Sequence, residues 1–286
     1  MTVLSGTTRV LGILGYPVIH SLSPVMQNAA IAECGIDYVY VPFSVEPESL
    51  GTAVSGLLAL GVCGFNVTIP HKTTIIKYLD ELDESASDAG AVNTVLVRDG
   101  RMIGYNTDGC GLINSLSEDL NYVPGTGNIL VIGAGGAARG ALAALCRAGA
   151  KRLIIVNRSF DKALKLIAEL SLRYPDNQIE VFSQEQITGY DLSSVSLVIN
   201  ASSIGMNGDR IECVNISKLP ITAKVYDMVY SLFETLLVRD ARLNGLSAVN
   251  GLGMLAAQGE RAFSIWTGKT SPKGLMKQVL QRICCS

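Results

Sequence analysis

Residues 131–140 read Val-Ile-Gly-Ala-Gly-Gly-Ala-Ala-Arg-Gly, between the apolar pair Ile129-Leu130 and an alanine-rich stretch. The order is a strand, a glycine turn and a helix start. Glycines in such a turn let the main chain approach a pyrophosphate, and the positive end of the helix faces the phosphate charge. Ala138 occupies the third glycine position of the fingerprint, so the surrounding strand and helix carry the reading rather than the bare spacing. A nucleotide-binding unit is therefore expected in the middle of the chain, and the long stretch before it needs its own account.

The next strand narrows the choice of nucleotide. It ends Ile154-Ile155-Val156-Asn157-Arg158-Ser159. An NAD site usually carries an acidic side chain at this tip, where it bonds the ribose hydroxyls. Here no carboxylate stands at the tip to repel a 2′-phosphate. Arg158 offers a planar positive charge, and Asn157 and Ser159 offer hydrogen bonds. NADP is expected over NAD.

Strand and helix patterns alternate along most of the chain, which predicts an α/β protein. The first series has strands at Arg9–Gly15, Tyr38–Ser44 and Cys63–Val67, and helices at Pro24–Cys34, Pro47–Leu60 and Lys72–Leu82. Asp99-Gly100 between Ala91–Val97 and Met102–Tyr105 predicts a tight hairpin, so this sheet is expected to be mixed and to end in an antiparallel pair. The second series has strands at Asn128–Ile132, Arg152–Asn157, Ile179–Phe182, Leu197–Asn200 and Lys224–Met228, and helices at Ala137–Ala148, Phe160–Arg173 and Thr235–Asn244. That is a doubly wound, Rossmann-type pattern. After Gly251 only helical patterns remain, at Met254–Trp266 and Gly274–Cys284, and they are expected to return to the first domain. The expected division is residues 1–107, completed by 251–286, as a substrate-binding and catalytic domain, and 108–250 as the nucleotide domain.

Composition removes several function classes. Lys and Arg number 23 against 25 Asp and Glu, a net charge of −2 with no basic run, which argues against a nucleic-acid partner. No apolar stretch is long enough to span a bilayer, and no charged segment followed by an apolar one opens the chain, so no membrane partner and a cytoplasmic location are expected. The two histidines, His20 and His71, and seven cysteines without Cys-x-x-Cys spacing give no metal site and no disulfide framework. No heptad seam stands out, and monomer and homodimer both remain open.

The first domain carries polar clusters with no obvious structural need. In His20-Ser21-Leu22-Ser23-Pro24 two hydroxyls alternate before a helix. An extended segment would turn both to one face, toward a polyhydroxylated ligand, while helix capping by Ser23 would explain one of them without a ligand. Asn66 and Thr68 alternate in the same way within Gly64–Lys72. Lys72 falls at the expected start of a helix, where an unfavourable dipole would suit it to proton transfer. Asn93 and Asp108 fall at strand ends, in Gly90–Thr94 and Gly104–Gly109.

Taken in order, His20–Pro24, Asn66–Lys72, Gly90–Thr94, Asn106–Asp108, Gly133–Ala137, Asn157–Ser159, Asn200–Gly205, Asp227–Tyr230 and Gly251–Gln258 resemble the shikimate dehydrogenase family across nearly the whole chain. The resemblance implies an NADP-dependent oxidoreductase that interconverts 3-dehydroshikimate and shikimate, a small-molecule substrate of aromatic amino-acid biosynthesis. It implies Lys72 and Asp108 as the catalytic pair, with Ser21, Ser23, Asn66, Thr68, Asn93 and Gln258 binding substrate and Tyr230 near the substrate carboxylate. It implies cofactor contacts from Gly133, Ala134, Gly135, Gly136 and Ala137, from Asn157, Arg158 and Ser159, from Met228, Gly251 and Met254, and from Glu84. One departure is Leu232, where the family carries a proline after the Asp-x-x-Tyr motif. Two alternatives accompany this reading: a quinate/shikimate dehydrogenase with NAD or dual cofactor use, and a non-catalytic nucleotide-binding sensor of the same fold.

Overall fold

The computed structural model describes residues 4–206, 208–230 and 234–284. Their contacts divide into two compact units, one running to Gly111 and resuming at Leu255, the other spanning Leu112–Met254.

The first unit is built on β1 (Arg9–Gly15), α1 (Ser23–Glu33), β2 (Tyr38–Ser44), α2 (Leu50–Ala59), β3 (Gly64–Val67), β4 (Glu81–Leu82), α3 (Glu84–Ala89), β5 (Thr94–Arg98) and β6 (Arg101–Tyr105). Its sheet has the order β2-β1-β3-β5-β6-β4. The first three strands are parallel, and β5 runs antiparallel to both β3 and β6. Asp99 and Gly100 turn the β5–β6 hairpin with φ of 51° and 74°, the left-handed pair that a two-residue turn of this hand requires.

Two expectations are corrected here. The sheet does not end in the antiparallel pair, because β4 adds to β6 as a parallel edge strand. Nor is 72–82 an α-helix: it holds a 3-10 segment, Thr74–Tyr78, followed by β4. Asp80 explains the switch, since its main-chain N–H donates to Met102 O at 3.0 Å and its carboxylate accepts from Met102 N at 2.7 Å. Pairing with β6 outweighs continuation of the helix.

α4 (Asp108–Leu120) leads into the second unit. There follow β7 (Asn128–Ile132), α5 (Gly136–Arg147), β8 (Arg152–Val156), α6 (Phe160–Arg173), β9 (Gln178–Phe182), β10 (Val195–Asn200), β11 (Lys224–Asp227), α7 (Leu236–Leu243) and β12 (Ser247–Asn250). The sheet order is β12-β11-β10-β7-β8-β9, parallel throughout. This is the doubly wound arrangement, whose order reverses between β7 and β10. Its central strands are buried on both faces, so they read as unbroken apolar runs. Ile129, Val131, Leu153 and Ile155 pack under Leu142, Leu145, Leu166 and Leu170 of α5 and α6. Leu130, Ile132, Ile154 and Val156 point the other way, toward Leu237 and Val238 of α7.

α8 (Leu252–Thr267) and α9 (Leu275–Cys284) close the chain. α9 packs on α1 through the buried Met276 and Leu280. Trp266 Nε1 donates to Val95 O at 2.9 Å, and Gln27 Nε2 donates to Gly259 O at 3.0 Å. The change from one unit to the other falls inside α4 and α8, a few residues past the helix starts where 107/108 and 250/251 were expected. No helix among the described residues is long and apolar enough to cross a membrane.

Candidate active site

Hydrogen bonds in the first unit join Lys72, Asp108, Asn93, Asn66 and Gln258 of the polar residues singled out in the sequence, the last through Thr107, while Ser21, Ser23 and Thr68 stand outside this network. Lys72 Nζ donates to Asp108 Oδ2 at 2.6 Å, with side chains 23% and 14% exposed. Asp108 opens α4, and its second oxygen accepts from Asn93 Nδ2 at 2.7 Å. The Lys72 main chain is fixed as well, because Val92 N donates to its carbonyl at 2.7 Å. The preceding His71 is buried, with Nε2 2.7 Å from Val45 O. An acid–base pair is thus held at a partly open surface by a rigid frame.

The frame is a buried hydrogen-bond network. Asn93 Oδ1 accepts from Thr107 N at 2.8 Å, and Asn93 Nδ2 also donates to Thr107 Oγ1 at 3.0 Å. Thr107 Oγ1 reaches Gln258 Oε1 at 3.4 Å, and Gln258 Nε2 donates to Leu255 O at 2.8 Å. Asn66 Nδ2 donates to Asn93 O and Thr94 Oγ1, both at 3.0 Å, while its Oδ1 accepts from the Tyr40 hydroxyl at 2.7 Å. Thr107 and Tyr40 were absent from the sequence-based candidates. Thr107 sits inside the Asn106–Asp108 motif and its burial was the missing information. Tyr40 reads in sequence as an ordinary strand aromatic.

Three local expectations are corrected. Lys72 is followed by a 3-10 segment, so no α-helix dipole acts on it; the Asp108 carboxylate is its electrostatic partner. Ser21 and Ser23 do not lie in an extended segment: Ser21 N donates to Val18 O in a turn, Leu22 is in the right-handed helical region, and Ser23 is the first residue of α1. Leu22, not Ser23, stands at the cap position, and Ser21 Oγ accepts from Ser23 N at 3.3 Å. Both amide hydrogens of Asn66 are directed inward and the residue is 4% exposed, unlike Thr68, which is half-buried.

In the second unit the glycine turn follows β7. Gly133 has φ of 117°, and a Cβ there would lie 3.0 Å from the carbonyl of Ala201 and 3.1 Å from Ser202 N. Glycine is thus required where the ends of β7 and β10 meet, at the point where the strand order reverses. Ala134 is buried, whereas a Cβ on Gly135 or Gly136 would meet nothing within 4 Å. Those two glycines and Ala137 open α5 beside free space, and Ala138 is fully buried against the sheet. This is the shape a pyrophosphate cradle needs: open space, free main-chain N–H groups and a helix N-terminus.

At the tip of β8, Asn157 Nδ2 donates to Ser159 O at 2.8 Å, and Ser159 stands at the N-terminal boundary of α6 without a side-chain capping bond. Arg158 is exposed, with no ion-pair partner among the described residues. Beyond β11, Asp227 is fully buried. It accepts from Thr235 Oγ1 at 2.7 Å, Asn200 Nδ2 at 2.8 Å and Val229 N at 3.1 Å. Burial pushes its carboxyl up from the ordinary range, and these three donors oppose the shift. Met228 follows directly and is half-buried, and Tyr230 is exposed. A Cβ on Gly251 would lie 2.4 Å from Met228 O, so this glycine permits a close main-chain approach. Met254 is buried in the core of the same unit. Glu84 is exposed at the start of α3 in the first unit. Leu232 lies outside the described residues.

Residues 13–95 match the shikimate dehydrogenase substrate binding domain, 120–231 the shikimate / quinate 5-dehydrogenase family, and 251–281 the shikimate 5′-dehydrogenase C-terminal domain. The chain belongs to the shikimate dehydrogenase family. A family member from Geobacter metallireducens, shikimate dehydrogenase (NADP(+)), is 48% identical over 96% of each chain. A shikimate dehydrogenase crystallised with NADP+ superposes with a TM-score of 0.91 at 40% identity, covering 98% of this chain and 97% of that one. Shikimate 5-dehydrogenase from Listeria monocytogenes, crystallised with shikimate and NAD, gives 0.88 at 35% identity over 97% and 98%. The mixed sheet of the first unit and the parallel sheet of the second are thus those of shikimate dehydrogenases. Both nicotinamide dinucleotides occur among the solved members.

Proposed function

We propose that the chain catalyses the reversible reduction of 3-dehydroshikimate to shikimate with NADPH. The observation that carries this reading is the Lys72–Asp108 pair, 2.6 Å apart and partly exposed. NADPH, when bound, supplies hydride to the carbonyl carbon, and NADP accepts it in the reverse direction. In the reducing direction the Lys72 ammonium gives a proton to the oxygen as it gains negative charge. In the oxidising direction the neutral amine takes the hydroxyl proton. Asp108 holds the lysine in place through Oδ2 while Asn93 fixes Oδ1, so neither group has to reorganise during the transfer.

Ser21, Ser23, Thr68, Asn93, Gln258 and Tyr230 bind and orient the substrate in this reading. The donors and acceptors of Ser21 and Thr68 suit a ring bearing hydroxyls. Gly133–Ala137 and the N-terminus of α5 hold the pyrophosphate, Asn157–Ser159 hold the adenosine end, and Met228, Gly251, Met254 and Glu84 complete the cofactor contacts. Arg158, exposed beside a strand tip without a carboxylate, supports NADP over NAD.

The deciding experiment crosses shikimate and quinate with NADP and NAD and follows formation of the reduced nicotinamide. Turnover confined to shikimate with NADP is expected. Comparable rates with quinate or NAD would move the chain to the broader quinate/shikimate group, and NADPH binding without turnover would leave a sensor.

A further inference from the structure

We infer that Tyr40 and Asn66 are positioning residues for the acid–base pair, the first members of a one-way chain of donors that ends on Asp108. The inference rests on the proposed dehydrogenase reading. The direction of each bond follows from how many hydrogens each group owns. The Tyr40 hydroxyl donates to Asn66 Oδ1 at 2.7 Å, which turns the Asn66 amide nitrogen toward the main-chain carbonyl of Asn93 and Thr94 Oγ1, each 3.0 Å away. A reversed amide would set carbonyl oxygen against carbonyl oxygen. Thr94 Oγ1, now an acceptor, has a single hydrogen left, and it points to Asn93 Oδ1 at 3.0 Å. Asn93 Oδ1 also accepts from Thr107 N, so Asn93 Nδ2 must face Asp108 Oδ1 at 2.7 Å. Lys72 then meets the remaining oxygen.

The sequence Tyr40, Asn66, Thr94, Asn93, Asp108 therefore donates in one sense throughout. Such a network polarises each successive bond and fixes amide orientation that no isolated asparagine would keep. The first four members are each no more than 4% exposed, so water does not compete along the path. Tyr40 is placed by its own surroundings: its ring lies 6.0 Å from that of Trp266, which in turn covers Gly64 and bonds to Val95 O. Asn66 acts through Asn93 and Asp108 and does not touch the substrate.

The test is Tyr40→Phe, which removes one oxygen and keeps the ring, with Tyr38→Phe on the same strand as the control. Tyr40→Phe is expected to lower kcat about three- to tenfold while KM for shikimate and NADP stay within about twofold, because orientation of the pair is disturbed and ligand contacts are not. The pH at which kcat reaches half its plateau should move by about half a unit. Tyr38→Phe should match the wild type. Unchanged kcat and pH midpoint in Tyr40→Phe would overturn the inference, and so would a rise in substrate KM alone, which would make Asn66 a direct contact. A second readout does not need turnover: labelling of Lys72 by trinitrobenzenesulfonate, followed by mass spectrometry, should be about threefold faster in folded Tyr40→Phe. A wild-type chain without any dehydrogenase activity would sink the proposed function, yet faster labelling in the variant would still support the positioning chain, and equal labelling would overturn it.

Discussion

The carboxamide of Asn93 meets one carboxylate oxygen of Asp108 at 2.7 Å and orients the group so that the other faces Lys72 at 2.6 Å. The lysine is therefore aimed by a residue it does not touch. Its removal tests the centre of the proposed mechanism. Lys72→Ala should lower kcat by a factor of about 10²–10⁴, the usual contribution of a positioned acid–base group, and leave the NADP dissociation constant unchanged. Steady-state kinetics with fluorescence titration of NADPH check both parts; near-normal turnover would take Lys72 out of the reaction.

Arg158 stands exposed at the β8 tip beside Asn157 and Ser159. Arg158→Ala should raise KM for NADP about tenfold or more and leave KM for NAD nearly unchanged, because only NADP carries the 2′-phosphate. The ratio of kcat/KM for the two cofactors is the measurement, and an unchanged ratio would remove the arginine from cofactor choice.

Gly251 and Gly253 make different demands on neighbouring atoms. A Cβ on Gly251 would sit 2.4 Å from the Met228 main-chain oxygen, while one on Gly253 would sit 1.9 Å from Asp119 Oδ2 and 2.5 Å from Ser115 Oγ. Side chains can rotate away and main chain cannot. Gly251→Ala should therefore cost about 3 kcal/mol and Gly253→Ala about 1 kcal/mol, and Asp119→Ser should relieve only the second. Urea unfolding of the two glycine variants, each with and without Asp119→Ser, decides it; equal losses at both glycines would contradict the distinction.

How far the sequence reached depended on whether local pattern or a distant partner set the outcome. β1, β2 and α6 have the predicted bounds because each is a long apolar or amphipathic run between clear breaks. α4 and β12 were not predicted: Gly109 and Gly111 mask the first, and the four residues Ser247–Asn250 are too few and too polar to signal the second. Residues 72–82 looked helical until Asp80 found Met102 across the sheet. In the site, Lys72, Asp108 and Asn93 were legible because charged and amide groups stand out beside glycine turns. Tyr40 was not, since its partner Asn66 lies on another strand and only folding brings them together.

Cys146, buried in α5, gives the fold an alkaline sensitivity. Burial pushes its thiol up to about 12 from an ordinary value of 9.0. Above the unfolded value the unfolded chain releases a proton that the folded chain keeps. The contribution is therefore complete below pH 9 and is lost as pH rises toward 12. Between these values the stability of the wild type should fall more steeply than that of Cys146→Ala. Urea unfolding at intervals across this range reads the difference, and parallel curves would refute it.

The second unit is one continuous stretch, Leu112–Met254, whereas the first is built from two stretches that flank it. During synthesis the ribosome delivers the nucleotide fold whole while the substrate fold still lacks most of α8 and all of α9. Until then α1 has no α9 to cover it, Gln27 has no Gly259 carbonyl, and Val95 has no Trp266. A nascent chain thus has its nucleotide fold available before Lys72 has a finished scaffold around it, and the helical segment from Leu255 onward decides when that scaffold closes.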